Sequence, residues 1–332
     1  MVRGLRTFWE YFRVPFPTMR ISAKWALAGV AVVVSAAAWA AESPMPPGIA
    51  QKLVELGRVV DPPATAKLYA PLQPKEPYFG VRIERELRYG PSERDVLDIF
   101  MPQNVTTGRP VLIFVHGGAF IGGSKRQPNS PFYDNVMLWA VKNGFIGVNI
   151  DYRLAPEFRW PAGAEDVASA ILWVAKEIGD RGGDPSRIYL MGHSAGAYHV
   201  ANYVSHPEFY KLKGGGLKGA IMMSAIYDLT TGAVGDPERT YYGDDASRYA
   251  SQSSLPGLLK TDIPLMAVSS ELDLPVFVKQ LELLKDATCK RPTGCARTVM
   301  LPQHSHMSEA YSINTDDTRL TDQILEFVKA GK

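Results

Sequence analysis

The stretch IYLMGHSAGAYHV (residues 188–200) begins with a short apolar run and then places Ser194 between Gly192 and Gly196. Glycine weakens strands and helices alike, so its presence on both sides of one serine needs a reason. A nucleophilic serine needs a sharp strand-to-helix turn whose neighbouring residues carry no bulky side chains, and Gly-x-Ser-x-Gly meets that need. Because so short a pattern also arises by chance in a glycine-rich chain, the rest of the sequence has to decide its meaning.

Short apolar runs alternate with segments of helical spacing along most of the chain. The apolar runs are residues 111–115, 145–150, 188–191, 220–223 and 264–268, and ARTVMLP (296–302) is a further candidate strand. The helical segments are residues 164–178, 195–204, 276–285 and 317–328. Such alternation predicts an α/β fold with a mostly parallel central sheet and helices on both faces. Before it, VRIERELRYG and RDVLDIFMP alternate in polarity around GPSE, which predicts an antiparallel N-terminal hairpin.

The length and composition predict one large domain, which we place at residues 79–332. The chain has 332 residues, of which 46% are hydrophobic, which is enough for a single core of this size. Residues 42–78 are rich in proline and are interpreted as a linker or an N-terminal cover. The net charge is only +2 and no basic stripe occurs, so nucleic acid is not expected as a partner.

Residues 1–41 are interpreted as an N-terminal extension followed by a signal peptide. Arg20 and Lys24 precede the apolar residues 25–34, and Ala38-Trp39-Ala40 forms a small-x-small cleavage pattern. The alternative is a membrane anchor, but the apolar stretch is marginal for spanning a bilayer and no charged stop follows it. We therefore expect a signal peptide at about 19–40, a periplasmic or secreted protein, and no stable membrane anchor after cleavage.

The only two cysteines, Cys289 and Cys295, stand on either side of the turn-forming stretch KRPTG. In an exported protein a close cysteine pair across a turn indicates a disulfide bond.

Two segments could supply the donors of an oxyanion hole. HGGAF (residues 116–120) follows a predicted strand, and Gly117 and Gly118 allow backbone N–H groups to turn into a cavity. Taken alone, HGGAF could equally be an ordinary tight turn. Ser194 follows another strand and precedes a helix, so the Ala195 N–H would point at the same place, aided by the helix dipole.

The base and the acid are sought in the loops that follow the last strands. LPQHSHMSEAYS contains His304 and His306, and the spacing favours His306 as the base with His304 at the rim of the site. SELD contains Glu271 and Asp273, and Asp273, further into the loop, is favoured as the acid that orients the imidazole. His193 is expected to point away from Ser194, and residues 230–254 are expected to line the substrate pocket.

Taken together, these segments resemble a serine carboxylesterase of the α/β-hydrolase superfamily, of the hormone-sensitive-lipase-like, feruloyl-esterase-like or isoprenylcysteine-methylesterase-like kind. The matching segments are HGGAF, DYRLAPE, WPAGAEDV, GGDPSRIYLMGHSAGA, YDLT, YYGDD, SELD and HSHMSEAYS. The resemblance implies a triad of Ser194, Asp273 and His306, and an oxyanion hole formed by Gly117, Gly118 and Ala195. Ala119 departs from the third glycine that many such proteins have at this position.

The expected function is hydrolysis of small to medium carboxylic esters through an acyl-serine intermediate, with no cofactor and no metal. The expected partner is a small-molecule ester, and the sequence does not indicate an oligomeric state. An amidase, such as a formamidase, or a peptidase could use the same triad. A non-catalytic binding module on the same fold is the remote alternative.

Overall fold

A computed structural model of the chain describes residues 45, 46, 48–104, 106–292 and 294–331. Its centre is one eight-stranded sheet with the strand order β1-β2-β4-β3-β5-β6-β7-β8. The strands are β1 Val81–Arg88, β2 Val96–Pro102, β3 Arg109–Val115, β4 Ile146–Ile150, β5 Gly183–His193, β6 Gly219–Met223, β7 Leu265–Leu272 and β8 Arg297–Ser305. The predicted extension and signal peptide (1–41) lie outside the described residues.

The sheet begins antiparallel and continues parallel. β1 pairs antiparallel with β2, and β2 pairs antiparallel with β4. All pairings from β4 across the sheet to β8 are parallel. The predicted hairpin and the mostly parallel sheet are therefore confirmed. The parallel arrangement brings the carboxyl ends of β3, β5, β6, β7 and β8 to one edge, where ligands bind in folds of this kind.

Eleven α-helices are present in the described part of the chain. They are α1 Ile49–Leu56, α2 Pro62–Tyr69, α3 Asp134–Lys142, α4 Ala162–Glu177, α5 Ala195–Ser205, α6 Asp236–Tyr242, α7 Tyr249–Gln252, α8 Leu255–Leu258, α9 Pro275–Thr288, α10 Ser308–Tyr311 and α11 Arg319–Ala330. None of these helices is both long enough and apolar enough to cross a membrane.

Two hydrophobic cores lie on opposite faces of the sheet. Alternate residues of each central strand enter different cores, as in β3, where Ile113 belongs to one core and Leu112 and Phe114 to the other. Helices α4, α5 and α9 cover the first face, and α3 and α11 cover the second. Both faces are thus buried, which explains why the central strands are continuous apolar runs.

The segment before β1 is folded onto the domain and is not a linker. Leu53 of α1 and Tyr69 of α2 are fully buried, and the Gln73 side-chain amide donates to the carbonyls of Tyr311 and Ile313. Asp61 caps α2 by accepting from the Ala64 N–H at 2.9 Å. The prolines that suggested an irregular segment occupy the start of α2, where proline has no hydrogen bond to lose.

The predicted disulfide between Cys289 and Cys295 is present. It joins the residue after α9 to the segment that enters β8. Beside it, the Ala296 N–H donates to the Thr288 hydroxyl at 3.1 Å, so the turn is attached to α9 by a hydrogen bond as well.

Candidate active site

Ser194 occupies a sharp turn between β5, which ends at His193, and α5, which begins at Ala195. Its backbone has φ 54° and ψ −127°, an unfavourable conformation for a residue with a side chain. The Ser194 N–H donates to the Met223 carbonyl at 2.8 Å, which ties the turn to the end of β6. This strained turn projects the hydroxyl from the carboxyl edge of the sheet.

The glycines around Ser194 are required by close backbone packing. A Cβ atom at Gly192 would collide with the backbone of Gly196. A Cβ atom at Gly196 would collide with the carbonyl groups of Val115 and His116 at the end of β3. The first turn of α5 therefore lies directly against β3, and only glycine allows that approach.

The same packing brings the HGGAF loop beside the serine. A Cβ atom at Gly117 would lie 3.0 Å from the Ser194 Cβ atom, and Gly118 has a φ of 138°, which favours glycine. Among the described residues, the N–H groups of Gly117, Gly118 and Ala195 have no hydrogen-bond acceptor. These free donors belong to the HGGAF loop and to the N-terminus of α5, the two segments that flank Ser194, and such donors are suited to hold a developing oxyanion.

His116 and Asp151 hold the HGGAF loop in place. His116 Nδ1 lies 2.6 Å from the Gly117 carbonyl oxygen and Nε2 lies 3.1 Å from Asp151 Oδ1, while the ring stacks on Tyr152. Burial raises the pKa of Asp151, but the hydrogen bond with His116 and the charges of His116 and Arg94 outweigh it. The net result is a pKa below the usual value. Asp151 and Tyr152 belong to DYRLAPE, so this segment braces the loop.

His306 and Asp273 form a buried pair next to the serine turn. Asp273 follows β7, His306 follows β8, and His306 Nδ1 lies 3.0 Å from Asp273 Oδ1. A carboxylate can only accept here, so Nδ1 carries the proton and Nε2 remains available as a base. The ring of His193, the residue before Ser194, lies 4.8 Å from the His306 ring, which places this pair beside the elbow.

The two rejected candidates have structural contacts. His304 is buried and not at the rim as expected, with Nδ1 3.0 Å from the Ser308 hydroxyl and Nε2 3.0 Å from Asp317 Oδ2. Glu271 is exposed and accepts from the Gln303 N–H at 2.8 Å, linking the ends of β7 and β8.

His193 contributes a contact that the sequence does not show. Its Nε2 lies 2.8 Å from the His306 carbonyl oxygen, so the ring fixes the backbone of the base. Burial, assisted by the nearby His306, lowers the pKa of His193 to about 3 and keeps the ring neutral. Residues 193 and 306 meet only because β5 and the end of β8 reach the same edge of the sheet, and no local pattern signals this.

Ser194 opens into a cavity of about 350 Å³. Gly117, Gly118 and Ser194 form its reactive side, and the wall is largely apolar and aromatic, formed by Val60, Pro62, Ile121, Tyr133, Met307 and Tyr311. The expectation that residues 230–254 line the pocket is wrong for this cavity, although all of them are described. Residues of the N-terminal segment line it instead, because α2 packs against α10, directly after His306.

An eight-stranded sheet of this order, with an elbow serine and an aspartate–histidine pair at its carboxyl edge, defines an α/β-hydrolase. Within the described residues, no cluster of three or more histidine, cysteine or acidic side chains could hold a metal ion.

Comparisons with known proteins agree with this class. The sequence profile of the BD-FAE family matches residues 97–209. Esterase LipQ of Mycobacterium tuberculosis is 34% identical over 205 residues, which are 58% of this chain and 47% of that protein. Isoprenylcysteine alpha-carbonyl methylesterase of Arabidopsis thaliana is 27% identical over 253 residues, which are 76% of this chain and 55% of that one. The chain thus spans about half the length of these curated relatives.

Solved structures show the same fold. The crystal structure of esterase B from Lactobacillus rhamnosis superposes with a TM-score of 0.65 at 18% identity, covering 81% of this chain and 91% of that one. At this identity the likeness establishes the α/β-hydrolase fold.

Proposed function

We propose that this protein hydrolyses carboxylic esters of small to medium size through a covalent acyl-Ser194 intermediate. The observation that carries the proposal is the buried His306–Asp273 pair, 3.0 Å apart, beside a strained serine that the HGGAF loop and the N-terminus of α5 flank. The two curated relatives compared above are named as esterases, which supports the ester bond as the target.

The proposed reaction has two steps. Ser194 Oγ attacks the carbonyl carbon while His306 Nε2 takes its proton, and the three backbone N–H groups bind the oxyanion. His306 then returns the proton to the leaving alcohol oxygen, which leaves the acyl group on Ser194. In the second step water attacks the acyl carbon, gives its proton to His306, and releases the carboxylic acid as Ser194 is reprotonated. Loss of one oxyanion donor typically costs about 3 kcal/mol of barrier.

The cavity supports uncharged substrates of limited size. At about 350 Å³ it lies at the small end of the usual range of roughly 300–1,000 Å³ for ligand pockets. Its lining contains no Lys, Arg, Asp or Glu among the described residues, and His193 is neutral. An acyl or alcohol group with a free charge would lose its hydration there without gaining a partner.

The direct test is turnover of p-nitrophenyl esters from acetate to dodecanoate, with p-nitroanilides of the same acyl groups alongside. We expect ester turnover with a maximum at the shorter chains, and loss of several orders of magnitude in Ser194→Ala. Ser169→Ala, on the remote helix α4, is the matched control. Faster turnover of the anilides would favour an amidase, and no turnover of either class would favour a binding module.

We also infer that the protein is exported to the periplasm or secreted. The layout of residues 19–40 supports this, and so does the Cys289–Cys295 disulfide, since disulfides persist mainly in oxidising compartments. Protein recovered from its native host should begin near Ala41. An intact N-terminus on protein from the cytoplasm would contradict the inference.

A further inference from the structure

A second buried carboxyl group lies behind the acid of the proposed triad. Glu309, on α10, is 0% exposed, as is Asp273. The Ser224 hydroxyl lies between them, 2.5 Å from Asp273 Oδ2 and 2.8 Å from Glu309 Oε1. Ser270 reaches the same Glu309 oxygen at 2.7 Å. The proposed mechanism makes no use of Glu309, so its burial needs a separate explanation.

The number of protons that Asp273, Ser224, Glu309 and Ser270 share decides whether both carboxyl groups can be ionised. Three oxygen–oxygen contacts join Asp273, Ser224, Glu309 and Ser270, and each requires one proton between its two oxygens. The two serine hydroxyls supply only two protons. If both carboxyl groups were ionised, one of the three contacts would have no proton, and the lone pairs of its two oxygen atoms would face each other. Two negative charges would also be buried together.

A proton on Glu309 Oε1 completes all three contacts. Glu309 then donates to Ser224 Oγ, Ser224 donates to Asp273 Oδ2, and Ser270 donates to the remaining lone pair of Glu309 Oε1. Burial, and next the charge of Asp273, raises the pKa of Glu309 well above its usual value, and the serine hydroxyls only partly offset this.

We propose that Glu309 is a positioning residue that stays protonated and, through Ser224, holds the Asp273 carboxylate in register with His306. This inference rests on the proposed function. Asp273 Oδ1 is occupied by His306 Nδ1 and by the Leu274 N–H at 2.7 Å, and Ser224 is the partner of Oδ2. Arg58 donates to the Asp273 backbone carbonyl at 3.0 Å and not to either carboxyl group. Without the proton from Glu309, Ser224 would have to divide its one hydrogen between two acceptors.

Glu309 and Ser224 do not line the cavity around Ser194, so their loss should reduce kcat and leave KM within about threefold. In Ser224→Ala, which removes the hydrogen bond to the Asp273 carboxylate, we expect kcat to fall about 10- to 100-fold, the range for losing a hydrogen bond to a charged group. In Glu309→Leu, Ser224 keeps its hydrogen for Asp273 but loses the donor that orients its hydroxyl, so we expect a smaller fall of about 2- to 10-fold, the range for losing a neutral hydrogen bond. Glu309→Gln keeps a neutral donor and acceptor at the same place, and should recover most of the activity lost in Glu309→Leu. Glu271→Gln, an exposed carboxylate without a contact to Asp273, is the control.

The pH profile separates a neutral Glu309 from an ionised one. The acid limb of kcat/KM reports the base. If Glu309 is neutral, Glu309→Gln leaves this limb in place. If it were ionised, removing its charge would shift the limb to lower pH, and that shift would overturn the proposal, as would full activity in Ser224→Ala.

Infrared spectroscopy gives a readout independent of turnover. The difference spectrum between the wild-type protein and Glu309→Gln at neutral pH should show the carbonyl stretch of a protonated carboxylic acid, and the difference spectrum between the wild-type protein and Glu271→Gln should not. Absence of that band from the Glu309→Gln difference spectrum would refute the protonated state. If the wild-type protein neither hydrolyses esters nor reacts with a fluorophosphonate, the proposed function fails, and the infrared band alone then decides the state of Glu309.

Discussion

Replacing Gly196 by alanine adds one methyl group where the structure has no room for it. The new Cβ atom would collide with the carbonyl groups of Val115 and His116, which are backbone atoms of the central strand β3 and its exit. Because backbone cannot move aside as a flexible side chain can, α5 or the HGGAF loop must shift. Overpacking of this kind costs about 1–3 kcal/mol.

The expected effects are a lower melting temperature and a disproportionate loss of activity. At about 2–4 °C per kcal/mol for a domain of this size, Tm should fall by roughly 2–12 °C. The shift separates Ser194 from the donors of the HGGAF loop, and a displacement of about 1 Å at a reacting group can cost on the order of 100-fold in rate. Both quantities can be measured on one preparation, by thermal denaturation and by kcat/KM for a p-nitrophenyl ester.

Gly179→Ala is the matched control for this experiment. Gly179 is exposed, and an added Cβ atom meets no atom within 4 Å. It should leave activity unchanged and stabilise the fold by up to about 1 kcal/mol, because alanine reduces the freedom of the unfolded chain. If Gly196→Ala matched Gly179→Ala in both Tm and kcat/KM, our account of the glycines around Ser194 would be refuted.

Three further results are expected. The Cys289→Ser/Cys295→Ser double variant should lose about 2–2.5 kcal/mol of stability, measured as a lower urea midpoint, because the disulfide closes a short loop. Unchanged turnover at moderate temperature would mean that the disulfide does not steady the His306 loop. Unchanged stability would contradict the presence of the disulfide. Burial lowers the pKa of His199 to about 3 in the folded protein. Between about pH 6.5 and 3 the unfolded chain therefore binds more protons at His199 than the folded protein does. The contribution of this ring should lower the stability of the fold by roughly 1 kcal/mol for each pH unit of acidification. His199→Phe should make that slope shallower in urea titrations from about pH 7 to 4, and an identical slope would contradict a neutral His199. Burial raises the pKa of Asp317, but hydrogen bonds from Arg319 and His304 outweigh this and hold the pKa below its usual value. Asp317→Asn should therefore destabilise the protein near neutral pH. The difference in stability between the wild-type protein and this variant should shrink in acid, where Asp317 becomes protonated.

Local sequence patterns predicted the strands of the central sheet, whose burial leaves a clear pattern of apolar residues. The five apolar runs became strands, because a parallel sheet covered on both faces selects uninterrupted apolar residues. Helix α3 (Asp134–Lys142) was not predicted, since eight of its nine residues are buried and it lacks a polar face. Helix α2 was missed because its prolines suggested an irregular segment.

Local sequence patterns likewise show some residues of the candidate site and not others. Ser194, Gly117 and Gly118 occur in local motifs whose geometry is set by adjacent residues, so a sequence can show them. The contact of His193 with His306 and the chain from Glu309 to Asp273 join residues more than 30 positions apart. They meet only through the order of β5 to β8 in the sheet, and no periodicity in the sequence encodes that order.

The most direct test of the central claim is the site and rate of covalent labelling by a fluorophosphonate, followed by intact mass and peptide mapping. Our account predicts one equivalent per chain, attached to Ser194, with labelling slowed by orders of magnitude in His306→Ala and retained in His304→Ala. Labelling at another residue, or dependence on His304 in place of His306, would contradict it.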